Sequence, residues 1–579
     1  MKNNRLKSSI FVSLVLLSTM LTATLSATAQ DEQNPRYGGT LIVGDGKFGS
    51  FNPYIEATWE TYFCNDLIFS SPVSWYEEEP HFRPELAESW IYSTDGSIIF
   101  QFRKNVTWHD GTPFTIEDAK WALELFNEKK GWAWFWEREV TIEQVGDWGI
   151  KISFDRPVDE ESILFAFAYS GFMFPRHLYE GTDFLTNPAN LHPIGTGPFK
   201  LESFVAGDYA VLVRNPNYFR EGLPYLDKVI VRIIPDQVAR VAALEKGEID
   251  YLPMFASWSQ LDRVTKTGNV KVDFKSVHGS VIPIFFNLDH NFTNNKMVRQ
   301  AIDYAIDKED IVRKVTYGFD QYTGSFQHPD VPYWKAEPRY DYNKTKAKEM
   351  LDAAGYPVGT DGKRFKLRLT FTSDHEDVRK MGEMVREYLL AVDIDAELVL
   401  FDRPTTVQKL FVERDFDMGC VGTISTGPHP LWGLYLTMHS SAIGMPWGNP
   451  SGFNSTYVDG LLDEAVHTVN ATRKKELMYL LQDIAAEELH VIPALAMTFP
   501  HLHDGEFIGI PGNYMSAYIG PGDSAEYVWW VKGTPSGDGN GTEGQLGLSP
   551  EIIAAIVIGA VVVIAGAAIW LTKKMRRRK

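Results

Sequence analysis

Apolar residues follow three patterns along the chain. Two stretches are unbroken: one runs from Ile10 to Leu25, and the other, from Ile552 to Leu571, holds 20 residues without a charge. The first sits between Lys2, Arg5 and Lys7 and the small residues Ala27-Thr28-Ala29. That is the layout of a cleaved secretory signal, so residues 1–29 are set aside from the fold. The second has the length a helix needs to cross a ~30 Å hydrocarbon layer and predicts a transmembrane anchor. Lys573, Lys574, Arg576, Arg577, Arg578 and Lys579 follow at once, and an excess of Lys and Arg beside a span marks its cytoplasmic end. Residues 572–579 are expected inside the cell and the body outside it. The first Cys is Cys64, which leaves a processed N-terminus without a lipid acceptor.

The other two patterns are periodic. "GIKISFD" (149–155), "YAVLVRN" (209–215) and "KVIVRII" (228–234) alternate or cluster β-branched residues between turn residues and predict strands. Helical spacing appears in "TIEDAKWALELFNEK" (115–129), with Thr115 as N-cap and Asp118 at the third helical position. It appears again in 295–317, in 343–356 and in "ATRKKELMYLLQDIAAEEL" (471–489). The interleaving predicts a mixed α/β body. "GTPSGDGNGTEGQLG" (533–547) has no apolar periodicity, so 533–549 is expected to tether body to span as a flexible linker. About 500 residues lie between leader and linker, more than one core serves, so two or three domains are expected. No internal repeat appears.

Charge narrows the partners. The chain carries a formal charge of -19 from 56 basic and 75 acidic residues. Leader and tail hold nine of the basic residues and no acidic ones, so 47 basic face 75 acidic residues elsewhere, a charge of -28. Nucleic acid is a poor partner for such a surface. Two cysteines, Cys64 and Cys420, make no disulfide framework; a single long-range bridge and two buried thiols are both open. Six N-x-[ST] triplets, at Asn105, Asn291, Asn343, Asn454, Asn470 and Asn540, fit a glycosylated surface protein.

A longer block is more specific. "RPELAESWIYSTDGSIIFQFRKNVTWHDGTPFTIEDAKWALELF" (83–126) resembles the signature of the extracytoplasmic solute-binding proteins of peptide-type ABC importers, a family that also takes up nickel complexes and some oligosaccharides. "GTGPFKLESFVAGDYAVLVRNPNYF" (195–219), "RVAALEKGEIDY" (240–251), "VRQAIDYAIDKEDIVRKVTYG" (298–318) and "KAKEMLDAAGYP" (346–357) follow in family order, so the resemblance extends from Gly38 to about Trp530. Within these blocks Asp110-Gly111 reads as a turn pair, and Gly195 and Gly197 as turn chemistry at a domain crossover.

The resemblance implies a periplasmic-binding-protein-like two-lobe clamp with an extra domain, to which the C-terminal transmembrane helix is added. Lobe I is expected to be discontinuous, 37–75 with 193–283 and 492–532; the added domain spans 76–192 and lobe II 284–491. It implies capture of oligopeptides or oligosaccharides by hinged closure and delivery to ABC permease subunits, without cofactor, metal or catalysis. In peptide-binding members two extended stretches flank the ligand in the manner of strand addition. Carried over, these place Glu56, Thr58 and Trp59 at the cleft from "FNPYIEATWE", and Thr423, Thr426 and Trp432 from "FDMGCVGTISTGPHPLWGLYL" (416–436).

The second stretch departs from the pattern. Where peptide-binding members commonly hold the peptide's ammonium with an Asp, this chain has Thr426, and a nearby Trp is replaced by Thr423. An ammonium closed into a cleft without a counter-charge is costly. Aromatic faces stack on sugar rings, and the chain has 16 Trp, with Trp59, Trp432 and Trp447 near the expected cleft. An oligosaccharide would therefore account for both features. Trp132, Trp134 and Trp136 occupy every second position of "GWAWFWEREV", which puts them on one face if extended; contact with ligand and packing of the added domain are both open.

Two other function classes are open to an exported, acidic, Trp-rich chain. A surface glycoside hydrolase needs two carboxylates across a cleft, and no motif for it appears, nor a GxSxG, an HExxH or a phosphate-cradling loop. His490, His501 and His503, irregularly spaced, read as surface or capping residues rather than metal ligands. A non-transport surface protein would need no hinged clamp.

Overall fold

Alternating burial turns the strand-like runs into sheets. Lys228–Ile233 buries every second residue, and Tyr209–Arg214 buries Ala210 and Leu212 and leaves their neighbours half-exposed, as expected of strands with one face on a core. The computed structural model describes residues 37–46, 48–55, 59–75, 81–129, 139–253, 257–275, 280–322, 324–329, 332–336, 340–422, 424–425, 430–445, 447–497, 499–505, 507–508 and 529–530. All lie in the first of two compact units, Met1–Lys532 and Gly533–Lys579. Among the described residues no helix is long and apolar enough to cross a membrane. The expected leader, linker, span 552–571 and tail lie outside the described residues.

Three larger sheets organise the body. A seven-stranded sheet has the order Lys271–Lys275, Phe499–His503, Tyr251–Leu252, Thr40–Asp45, Lys228–Ile233, Tyr209–Arg214, Phe199–Val205. A six-stranded sheet runs Asp395–Phe401, Lys366–Thr372, Met418–Cys420, Ser280–Phe286, Ile424–Ser425, with Val491–Ala496 also paired to Ser280–Phe286. The third is a four-stranded antiparallel sheet of Ala87–Tyr92, Ile98–Phe102, Gly149–Phe154 and Val140–Val145. Sheets one and two mix parallel and antiparallel pairs, so the body is α/β. The chain passes from the first sheet to the second between Lys275 and Ser280 and back between Ala496 and Phe499.

Helix starts follow capping chemistry. At Ile116–Lys129, Thr115 Oγ1 accepts from the Asp118 N–H while the Asp118 carboxylate accepts from the Thr115 N–H, a reciprocal capping box. The expected helix over 295–317 is two helices, Lys296–Ala305 and Lys308–Val315. Ile306 is extended and the Asp307 carboxylate accepts from the Asp310 N–H. A side chain that caps a new first turn has overridden the continuous apolar period.

The signature motifs pack on each other. Gly111 has φ of 90° and Asp110 Oδ1 accepts from the Thr112 N–H, the expected turn pair. Gly195 and Gly197 serve close approach: a Cβ would lie 1.9 Å and 2.6 Å from Ile68 O. His109 locks them in place. Its Nδ1 accepts from the Gly195 N–H at 3.2 Å, which assigns the proton to Nε2, the donor to Gly197 O at 3.0 Å. Burial holds this imidazole down at about 4, so it is neutral in the range where its partners need it.

Two expectations on Cys and His are settled or corrected here. Cys64 and Cys420 are separate buried thiols. His490 and His501 are not surface residues, each being only 1% exposed. His501 Nδ1 meets the Tyr251 hydroxyl at 2.7 Å inside the first sheet, and Phe453 packs beside His490. A neutral imidazole is apolar enough to fill a core, which periodicity cannot reveal.

Candidate ligand cleft

Two strands join the first and second sheets. Lys271–Lys275 pairs antiparallel with Phe499–His503 in the seven-stranded sheet, and their continuations Ser280–Phe286 and Val491–Ala496 pair antiparallel in the six-stranded one. A two-stranded ribbon therefore passes from one body to the other. Two strand connections of this kind are what a hinge made of element ends requires.

The segment that carries the four-stranded sheet is bonded to the first body. Gly197 N–H donates to Ile68 O at 2.8 Å, Met173 N–H to Ser70 O at 2.9 Å, and Phe51 N–H to Asn190 O at 2.9 Å. Tyr62 and Phe69, from the first body, pack their rings on Tyr169, Phe172 and Phe174. Asn52, buried in the Asn-Pro stretch, donates from Nδ2 to Asn190 Oδ1 at 2.9 Å and accepts from the Tyr54 N–H. This fixes the chain just before the expected ligand-facing residues. Glu56 and Thr58 lie outside the described residues, as does the side chain of Trp59, whose backbone begins the helix Trp59–Ile68.

On the second body, Ile424–Ser425 pairs with Ser280–Val281 next to the hinge. Gly422, with φ of 101°, turns the chain there, and a Cβ on it would lie 3.7 Å from Val378 and 4.0 Å from His375. Thr423 and Thr426 lie outside the described residues, as do Trp132 and Trp134. Trp432 is buried against Phe165 and Tyr169, at 6.0 Å and 5.9 Å between centroids. Trp447 is half-buried with φ of 63°, 5.4 Å from the Phe411 ring and beneath the Arg403 guanidinium at 5.3 Å. Neither tryptophan is brought together with the other by a described contact.

Sequence reasoning missed the residues that meet across the cleft rim. The helix Glu376–Leu390 presents His375 as N-cap and Asp377 in its first turn. Asp377 Oδ2 lies 3.5 Å from the backbone N of Trp258, the first residue of the helix Trp258–Thr267 on the other body. A carboxylate there faces two helix N-termini, where negative charge is favoured, yet burial dominates and raises its pKa to about 6. His375 is pushed down to about 4, by burial first and then by Arg403. Trp258 also stacks on Phe319, 6.0 Å away and 16° from parallel. Trp258 and Asp377 sit at helix starts, where apolar periodicity carries no information about a partner on another body; only the fold reveals the pairing.

This arrangement is suited to enclosing a solute and not to covalent chemistry. Burial pushes the Cys420 thiol beside the cleft up to about 12, far from a nucleophile's range.

Comparison with known proteins gives this geometry its context. Residues 81–445 match the family model described as bacterial extracellular solute-binding proteins, family 5 Middle. The oligopeptide-binding protein AppA of Bacillus subtilis is 26% identical over 509 residues, covering 83% of this chain and 89% of AppA. Among solved structures, DppA from Helicobacter pylori in complex with the peptide STSA has a TM-score of 0.74 at 23% identity, over 87% of this chain and 100% of that one. NikZ from Campylobacter jejuni in complex with Ni(L-His) has a TM-score of 0.72 at 23% identity, over 81% and 95%. The last two share the periplasmic-binding-protein-like α/β fold. The family model covers well over half of the chain, and it follows that this protein belongs to the bacterial extracellular solute-binding proteins of family 5, as a substrate-binding component of an ABC importer rather than an enzyme.

Proposed function

We propose that the protein captures oligopeptides outside the cell and hands them to its permease. The observation that carries the peptide over other solutes is the likeness to AppA along most of both chains. Glu56, Thr58, Trp59, Trp132, Trp134, Thr423, Thr426 and Trp447 are the residues assigned to the ligand. Trp432, occupied by Phe165 and Tyr169, is assigned to packing. With Thr426 in place of the customary carboxylate, the peptide's ammonium is assigned to Glu56.

The missing carboxylate also favours a second ligand class, an oligosaccharide stacked on tryptophan. The domain division is proposed as stated: lobe I 37–75 with 193–283 and 492–532, added domain 76–192, lobe II 284–491. The uncharged stretch 552–571 and the basic residues after it support anchoring by a single span with a cytoplasmic C-terminus.

A thermal-shift screen of the full-length chain separates the ligands, because binding confined to the folded state raises the melting temperature by mass action. Mixed short peptides are expected to raise it by a few degrees, with Glu56→Gln abolishing the shift. A response to manno-, cello- or xylo-oligosaccharides instead of peptides would overturn the peptide reading. For the anchor, the chain is expected to stay with membranes through alkaline carbonate extraction; release into the supernatant would refute the span.

A further inference from the structure

The second body touches the first at a place that, Trp432 apart, lies outside the expected ligand stretches. Lys474, on the helix Ala471–Glu488, meets Asp159 Oδ2 at 2.7 Å. The two side chains are 3% and 12% exposed. Asp159 is the N-cap of the helix Glu160–Ser170, accepting from the Ser162 N–H at 3.1 Å and from its hydroxyl at 2.5 Å. Beside it, Trp432 of the helix Pro430–Met438 packs on Phe165 and Tyr169 of that same helix. His467 Nδ1 donates to Pro157 O at 2.9 Å, closing the edge.

Glu160–Ser170 is fixed to the first body by the packing of Tyr62 on Tyr169, with Phe69 on Phe172 just past its end. Ala471–Glu488 and Pro430–Met438 pack with Thr456–His467 on the second. Hinge rotation about the two-stranded ribbon therefore separates these surfaces. On opening, the ion pair and Trp432 re-enter water; on closing, both are desolvated together. A buried pair is tolerated only while both partners are present, and a charge left alone there is strongly unfavourable.

We propose that Asp159, Lys474 and Trp432 form a closure latch that sets the open-to-closed ratio of the clamp before any ligand arrives. They act as positioning residues: apparent ligand affinity scales with the fraction of molecules able to close. The proposal rests on the hinged clamp and is independent of whether the ligand is a peptide or a sugar.

The test needs no ligand. Spin labels on Val205→Cys and Leu400→Cys, exposed positions of the first and second sheets, report the distance between bodies in the full-length chain in detergent. The unliganded protein is expected to give a long distance together with a measurable short one. Lys474→Met, which removes the positive partner of Asp159, is expected to deplete the short distance, changing the ratio by on the order of tenfold or more. Adding Asp159→Asn to that variant removes the stranded charge while keeping the helix cap, and should restore the short distance. Should Lys474→Met not fold, Asp159→Asn alone leaves Lys474 with the Ser162 hydroxyl but without its counter-charge and gives the same reading. A ratio unchanged by either single variant would overturn the latch, as would a wild-type protein with no short distance in the absence of ligand. A purely structural pair would lower the melting temperature without moving the distance.

Discussion

At the scale of single residues, the family signature is a packing device. The His109 imidazole bridges Gly195 and Gly197, whose missing side chains let the chain pass against Ile68 O. Gly195→Ala would drive a Cβ to 1.9 Å from a backbone oxygen, a clash no rotamer relieves. We expect it to destabilise by roughly 3 kcal/mol or more, among the larger single-site effects, measured by urea unfolding; a loss under about 1 kcal/mol would disprove the account. Asp377 gives a second prediction. Burial raises its pKa to about 6, so the folded chain holds this proton more tightly than the unfolded one. Its contribution is present in acid and is lost as pH rises through about 6. Asp377→Asn, which never ionises, should therefore match the wild type near pH 4 and melt higher at pH 8. Equal melting temperatures at both pH values would show that Asp377 stays ionised without penalty.

At the scale of elements, what the sequence disclosed was local chemistry. Thr115 and Asp118 were readable as a cap because both partners lie within one turn, and the reciprocal bonds are present. Thr115→Ala is expected to lower stability by about 1 kcal/mol, and Asp118→Ala in that background to add little, since the two bonds form one unit. Additive losses in a double-mutant cycle would contradict a capping box. The strands at 149–155, 209–215 and 228–234 were legible for a similar reason, since period two survives wherever one face is buried. The break at Ile306 was hidden because its apolar spacing continues through Asp307, and only the competition between side-chain capping and helix propagation decides it. The cleft rim was illegible for a different reason. Trp258 and Asp377 meet across 119 residues, and Asp159 and Lys474 across more still, so no local pattern marks them. Order of motifs conveyed the family; the partners of individual charges came only from the fold.

At the scale of the whole molecule, three histidines share one consequence. Burial holds His109 and His375 down at about 4 and His490 at about 3. The unfolded chain takes up protons on these rings near pH 6.5, whereas the folded chain does not. Because the folded values are lowered, stability is complete above about pH 7 and declines as pH falls through 6.5, the loss levelling off between about pH 4 and 3 as His109 and His375, then His490, take up their protons. Each fully withheld proton contributes about 1.4 kcal/mol per pH unit; with the half-exposed His375 discounted, the combined slope is roughly 3 kcal/mol per pH unit between 6 and 4. Asp377 titrates in the opposite direction over the same window and offsets part of it. His490 is the cleanest handle, since its ring is 1% exposed and Phe453 packs beside it. His490→Leu is expected to flatten the acid side of a melting-temperature profile by about half, while leaving the distance between the two bodies and the response to ligand at pH 7.5 as they are. A profile that falls as steeply without this ring as with it would mean that acid opens the molecule through its carboxylates instead.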